Sequence, residues 1–156
     1  MNWWLKKCLY RLAHLIMGIV IKRVNVPEPE LLTGDGSNKK LPAQLKKSNV
    51  RRVLIVTDKG ISGLGLTSGL IAELENMDIL VTVFDSVQAN PTIENIEDGL
   101  KIYSRSCCEG IIAFGGGSPI DCAKLIGARV SNFERSAVQM RGGFKIPKKL
   151  PPLYAV

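Results

Sequence analysis

From Arg51 to Val156 short aliphatic runs alternate with stretches of helical periodicity, and this alternation most constrains the fold. Val53–Val56 is continuously aliphatic and β-branched at three of four positions, the composition of a strand buried on both faces. Leu64–Glu75 then carries Leu66, Leu70, Ile71 and Leu74 at helical spacing. Ile79–Phe84 reads as a second aliphatic strand. Thr92 is placed to cap a helix running to about Ser104, with Ile93, Ile96, Leu100 and Tyr103 on one face. Ile111–Phe114 reads as a third strand, Ser118–Val130 as a third helix, and Leu153–Val156 as a further strand. Strand–helix alternation of this kind predicts parallel strands joined by right-handed crossovers in an open α/β layer. Ligands of such sheets bind at the carboxyl ends of the strands, which directs attention to the loops after Val56, Phe84 and Phe114.

The third of these loops is the most specific. Gly115-Gly116-Gly117-Ser118-Pro119-Ile120-Asp121 follows the third strand directly. Three glycines allow a sharp turn and a close approach of backbone to ligand. Ser118 is a favoured N-cap, Pro119 suits the first helical position, and Asp121 stands where a capping box has its acid. An acid facing phosphates would repel them, so Asp121 is expected to point back to the backbone. The free N–H groups and the helix dipole then form an anion site suited to phosphate.

Two other loops carry candidates. Asp58, after the first strand, either caps the next turn or accepts hydrogen bonds from ribose hydroxyls, and a carboxylate there disfavours a 2′-phosphate. Ala89-Asn90-Pro91-Thr92, after the second strand, reads equally as a turn and helix cap or as a ligand edge. Gly63-Leu64-Gly65 with Asp85 imitates a dinucleotide fingerprint, but its third glycine, Gly69, is one residue late and Thr57–Ser62 separates it from the strand.

The 156 residues suffice for one core, and 46% hydrophobic positions exclude disorder. The net charge of +7 is unevenly spread: residues 1–52 carry +8, residues 53–132 carry −5 and residues 133–156 carry +4. A nucleic-acid-binding core would be basic, and this one is acidic. Residues 1–23 form an amphipathic amino-terminal extension, 24–50 a linker and lead-in with a short helix at Leu41–Lys47, and 51–156 the α/β domain. Within the extension, the uncharged run of about ten residues is shorter than the about 20 that a spanning helix needs. Residues 3–21 read first as a helix packed on its own protein or a partner subunit, then as a weak membrane-surface anchor, then as an export signal without a cleavage pattern. Cys8, Cys107, Cys108 and Cys122 form no Cys-x-x-Cys pair and are expected to be reduced thiols of a cytoplasmic protein.

As a set, Val-Thr-Asp at 56–58, Asn-Pro-Thr at 90–92, Gly-Gly-Gly-Ser-Pro-Ile-Asp at 115–121 and Lys124 resemble the iron-dependent (group III) alcohol dehydrogenases. The terminal Leu-Pro-Pro-Leu-Tyr-Ala-Val is similar to the strand leading into that family's second cofactor loop, and the resemblance covers about residues 50–156. It implies a Rossmann-like, mostly parallel sheet, of the kind also found in dehydroquinate synthase, that binds NAD in preference to NADP. Gly116, Gly117 and Ser118 would cradle the pyrophosphate, Asp58 would hold the adenosine ribose and Asn90 would border the nucleotide. It also implies an all-helical second domain whose aspartate and three histidines bind Fe2+ or Zn2+, and hydride transfer between nicotinamide and a small alcohol or aldehyde.

The chain departs from that pattern, because its one histidine is His14 and it ends before the second cofactor loop. The expectation is therefore the amino-terminal part of a longer enzyme, binding nucleotide at most and inactive alone. Homo-oligomerisation stays open, and no nucleic-acid partner is expected. The rival readings are an ATP- or phosphate-binding module with a kinase-like glycine loop, and a sugar-phosphate lyase or synthase on the same fold.

Overall fold

The structure is a computed structural model that describes residues 3–23, 30–34, 36–140 and 148–156. Pro27, Pro29 and Asp35 of the expected linker lie outside the described residues. The chain divides into two compact units, Met1–Leu31 and Leu32–Val156.

The first unit contains helix α1, Trp3–Arg23. Trp3, Trp4, Leu9, Tyr10, Leu12 and Leu15 are exposed on it. Among the described residues no helix is long and apolar enough to cross a membrane.

The second unit is a parallel sheet with helices on both faces. Its strands are β1 (Arg52–Val56), β2 (Leu80–Phe84), β3 (Gly110–Ala113) and β4 (Leu153–Ala155), in the spatial order β2-β1-β3-β4. Every pairing is parallel, with Val53 opposite Val81 on one side and Gly110 on the other. The helices are α2 (Leu41–Lys47), α3 (Lys59–Gly63), α4 (Ser68–Glu75), α5 (Ile93–Arg105) and α6 (Gly117–Ser131). The pleat sorts the aliphatic runs into two cores. Leu54, Val56, Ile111 and Ala113 meet Ile96, Tyr103, Cys122, Ala123 and Ile126 of α5 and α6. Val53, Ile55 and Ile112 meet Leu41 and Leu45 of α2 and Leu70 and Leu74 of α4. Each fully buried Val, Leu or Ile among them contributes about 1.5–3 kcal/mol of transfer free energy.

Two expectations need correction. Leu64–Glu75 is not one helix: α3 ends at Gly63, Gly65 turns with φ +68, and Leu64 and Leu66 are exposed. The second strand is the edge of the sheet, with Leu80 and Val83 exposed. Ile93, assigned to the inner face of α5, is also exposed; the buried stripe is Asn95, Ile96, Gly99 and Tyr103.

The two helices of the first core are tied by an ion pair. Arg129 Nε and Nη2 donate to the Glu97 carboxylate at 2.7 and 3.0 Å. Arg129 also donates to the Asn132 and Phe133 carbonyls, fixing the chain as it leaves α6. The hydrogen bond from Arg129 holds the Glu97 carboxyl below its ordinary range. A lowered carboxylate pKa adds stability that is complete above the unfolded value of about 4.3 and is lost as pH falls through the folded value. Glu97→Gln is therefore expected to cost about 1.5 kcal/mol at neutral pH and progressively less as pH falls through the lowered folded value. Thermal melts of the two proteins at neutral and acid pH check this; an equal gap at acid pH would show that the charge is not its source.

Candidate nucleotide-binding groove

The groove is built where the sheet reverses its winding. The chain passes from β1 outward to β2, then crosses back to place β3 on the other side of β1. The loops leaving β1 and β3 therefore separate, opening a crevice at the carboxyl ends of these neighbouring strands.

On one wall, Thr57 continues β1 and stays paired with the second strand's exit. Its amide donates to the Phe84 carbonyl at 2.9 Å and its carbonyl accepts from the Val87 amide at 3.3 Å. Asp58 follows in an extended conformation and caps α3, Oδ1 accepting from the Ile61 amide at 3.0 Å. This is the capping role, and it occupies one carboxylate oxygen. On the other wall, the Phe114 amide donates to the Val56 carbonyl and the Gly115 amide to the Val156 carbonyl, each at 2.9 Å.

The three glycines differ. Gly115 has φ +132, and a Cβ there would lie 2.6 Å from Ile61 Cδ1 and 3.2 Å from Pro119 Cγ. Conformation and packing both require glycine at this position. Gly116 has φ −76 and Gly117 is helical, so neither conformation needs glycine. A Cβ at either would meet nothing within 4 Å. The fold thus leaves open space over the two residues, which a ligand can approach without meeting a side chain.

The start of α6 corrects the sequence reading. The N-cap is Gly116, without any side-chain cap, and Ser118 is the second helical residue. Pro119 becomes the third, still within the turn whose N–H groups have no partner inside the helix. The helix begins early because the chain enters helical geometry directly after Gly116, whose carbonyl accepts from the Ile120 amide at 3.3 Å. Asp121 therefore sits in the second turn, beyond reach of a capping box, and is exposed 3.6 Å from Lys124 Nζ. No acid stands in the first turn of α6, so its positive end faces the groove uncompensated.

Asp58, Gly116, Gly117 and Ser118 line one groove of about 280 Å³ together with Val87, Gln88, Ala89 and Pro119. Asn90 is not among its lining residues; it is exposed beside Ala89, with φ +59. The backbone of the loop after β2 is the part that residue-by-residue reading missed. Its signal was Asn95, a polar residue on the buried face of α5: Oδ1 accepts from the Gln88 amide at 3.2 Å and Nδ2 donates to the Ser86 carbonyl at 3.1 Å. Thr92 caps the same helix, accepting from the Asn95 amide at 3.3 Å. The Gly63–Gly65 imitation of a dinucleotide loop is spent in ending α3, and Asp85 accepts from Ser62 Oγ at 2.9 Å. A larger hollow of about 410 Å³, lined by Lys46, Asn49, Arg51 and Asp78 among others, lies at the opposite ends of β1 and β2. No glycine turn or helix start opens into it.

Comparison with known proteins identifies the family and the fold. The family profile of iron-containing alcohol dehydrogenases matches residues 28–156. Alcohol dehydrogenase 4 of Schizosaccharomyces pombe is 38% identical over 125 residues, which is 80% of this chain and 29% of that protein. The crystal structure of a 1,3-propanediol oxidoreductase superposes with a TM-score of 0.75 at 33% identity, over 78% of this chain and 32% of the other. The sulfoacetaldehyde reductase of Bifidobacterium kashiwanohense, solved in complex with NAD+, gives 0.69 at 25% identity over 78% and 32%. The chain thus spans about three tenths of the length of the proteins it matches.

Proposed function

The chain belongs to the iron-containing alcohol dehydrogenase family, and on that premise we propose that its groove binds NAD(H) for hydride transfer between the nicotinamide and a small alcohol or aldehyde. The observation that carries this reading is the open space above Gly116 and Gly117 at an uncapped helix start. A pyrophosphate fits that space, because its oxygens can approach the backbone where no Cβ intervenes. The first-turn amides and the Ser118 hydroxyl donate to it. No Lys or Arg lines the groove, so oriented amides and the helix dipole supply the positive potential.

Asp58 keeps Oδ2 for the adenosine ribose while Oδ1 holds α3. This arrangement orients the sugar and repels a 2′-phosphate, favouring NAD over NADP. Asn90, next to the lining residue Ala89, would reach the nucleotide only from the groove's rim. When bound, NAD+ supplies the hydride acceptor, or NADH the donor; the described residues orient it and leave the chemistry to its nicotinamide. The expected metal does not fit them: among the described residues no group of three or more His, Cys, Asp or Glu could hold an ion. The four cysteines are unpaired, as in a reducing cytoplasm, where we place the protein.

Titration of the purified chain with NADH, followed by nucleotide fluorescence, tests the reading. Saturable enhancement is expected, with weaker competition by NADPH and by ATP. Gly117→Asp is expected to weaken binding at least tenfold, about 1.4 kcal/mol. An acid at the first helical position suits the helix dipole, so this loss will occur in a folded protein. No saturable signal, or unchanged affinity in the variant, would overturn the assignment. Equal competition by ATP would replace it with a general phosphate-binding module.

A further inference from the structure

We propose that α1 is a peripheral anchor that lies flat on anionic phospholipid surfaces. The helix spans Trp3–Arg23 and contains five cations, Lys6, Lys7, Arg11, Lys22 and Arg23, with no acid. Lys7, Arg11 and His14 recur at spacings of four and three, one stripe of an α-helix. Leu9 and Leu12 lie on the arc away from that stripe, Leu15 stands one turn after Arg11 at its edge, and all three are exposed. Trp3, Trp4 and Tyr10, exposed at 71%, 68% and 70%, flank the stripe on its two sides. The Lys7 ammonium sits 4.5 Å from the centre of the Trp3 ring, a cation paired with the aromatic face beside it.

This arrangement has a planar solution. Leucines enter the acyl boundary, aromatic rings sit at headgroup depth, and lysine and arginine stems carry their charges outward to phosphate. Leu5, Leu9, Leu12, Ile16 and Ile19 follow one aliphatic seam in the sequence, and a protein groove would take its aromatic anchors from that same seam. Here the aromatic residues instead border both sides of the basic stripe. Self-association would bring cations together with no acid on the helix to meet them. The charge specifies the lipid: a helix with five cations and no acid is complementary to an anionic surface and gains nothing electrostatic from a zwitterionic one. Lys6, Lys7 and Arg11 in the first half keep the helix from crossing the bilayer, so it lies on the surface.

The chain carries its own probe. Trp3 and Trp4 are its two tryptophans, so tryptophan emission reports α1 alone. The full chain would be mixed with vesicles of phosphatidylcholine, or of phosphatidylcholine with about one part in three phosphatidylglycerol. The expected result is a blue shift and co-sedimentation with the anionic vesicles only, weakened by added salt. Lys6→Glu/Lys7→Glu/Arg11→Glu is expected to reduce partition at least tenfold while leaving NADH affinity unchanged. Equal partition into pure phosphatidylcholine, retention of binding by the charge-reversed variant, or no shift with anionic vesicles would overturn the proposal. So would a blue shift that grows with protein concentration without vesicles, which would mean that a second copy covers the helix.

Discussion

Gly115→Ala is expected to destabilise the chain by about 3 kcal/mol, although it adds a single methyl group. Two costs combine. Alanine must adopt φ +132, a region L side chains rarely occupy. Its Cβ would also lie 3.2 Å from Pro119 Cγ, part of a ring that cannot rotate away, and 2.6 Å from Ile61 Cδ1, which can yield. Ile61 must therefore turn aside and the strand-to-helix turn must shift against Pro119. Urea unfolding followed by far-ultraviolet circular dichroism measures this, since the tryptophans lie on α1. Two residues on, Gly117→Ala is expected to hold or slightly raise stability, because alanine is the better helix former and meets no atom within 4 Å. A loss below about 1 kcal/mol for Gly115→Ala would contradict the account of this turn.

The second large effect lies where α5 crosses α6. A Cβ on Gly99 would overlap Ile126 Cδ1 and stand 3.3 Å from Phe84 Cε1. Ile126 is fully buried in the first core and has little free volume into which to turn. Gly99→Ala should cost about 2 kcal/mol by overpacking, and Ile126→Val about 1 kcal/mol by leaving a gap. The double variant is expected to cost less than either sum or overpacked single change, because the new Cβ fills the space of the lost Cδ1. A coupling energy of about 1–2 kcal/mol is the result to look for, and strict additivity would show that the helices simply move apart.

The α/β architecture was legible because its signal is periodic and repeated. The aliphatic runs at 53–56, 111–114 and 153–156 are strands within one residue of their expected ends. Thr92 and Asp58 were legible as caps because their hydrogen bonds reach only three residues. Position within the sheet was not: Leu80–Phe84 is as aliphatic as β1, and only the order of strands makes it an edge. The helix frame at Ser118 misled for a different reason. Serine before proline is a strong local cap signal, but the turn at Gly115 delivers the chain into helix two residues earlier. The glycine loop was therefore placed correctly and its capping pattern was not. Of the groove's third wall, Ala89 stood in a loop marked in the sequence, but Val87 and Gln88 did not; the Gln88 amide is held from a distance by Asn95.

The all-parallel pairing has a kinetic consequence. β1 can meet β2 across the interval from Arg52 to Leu80, but β3 reaches β1 only after the chain from Val53 to Gly110 has been closed into a loop. Pairings so distant in sequence are paid for in loop entropy before any contact rewards them, which slows folding relative to helical bundles of similar stability. The groove lies between β1 and β3, so it comes into existence with the slowest of these closures. Nucleotide consequently cannot template the early steps; it captures only chains whose central strands have already met, pulling the last equilibrium toward the finished sheet.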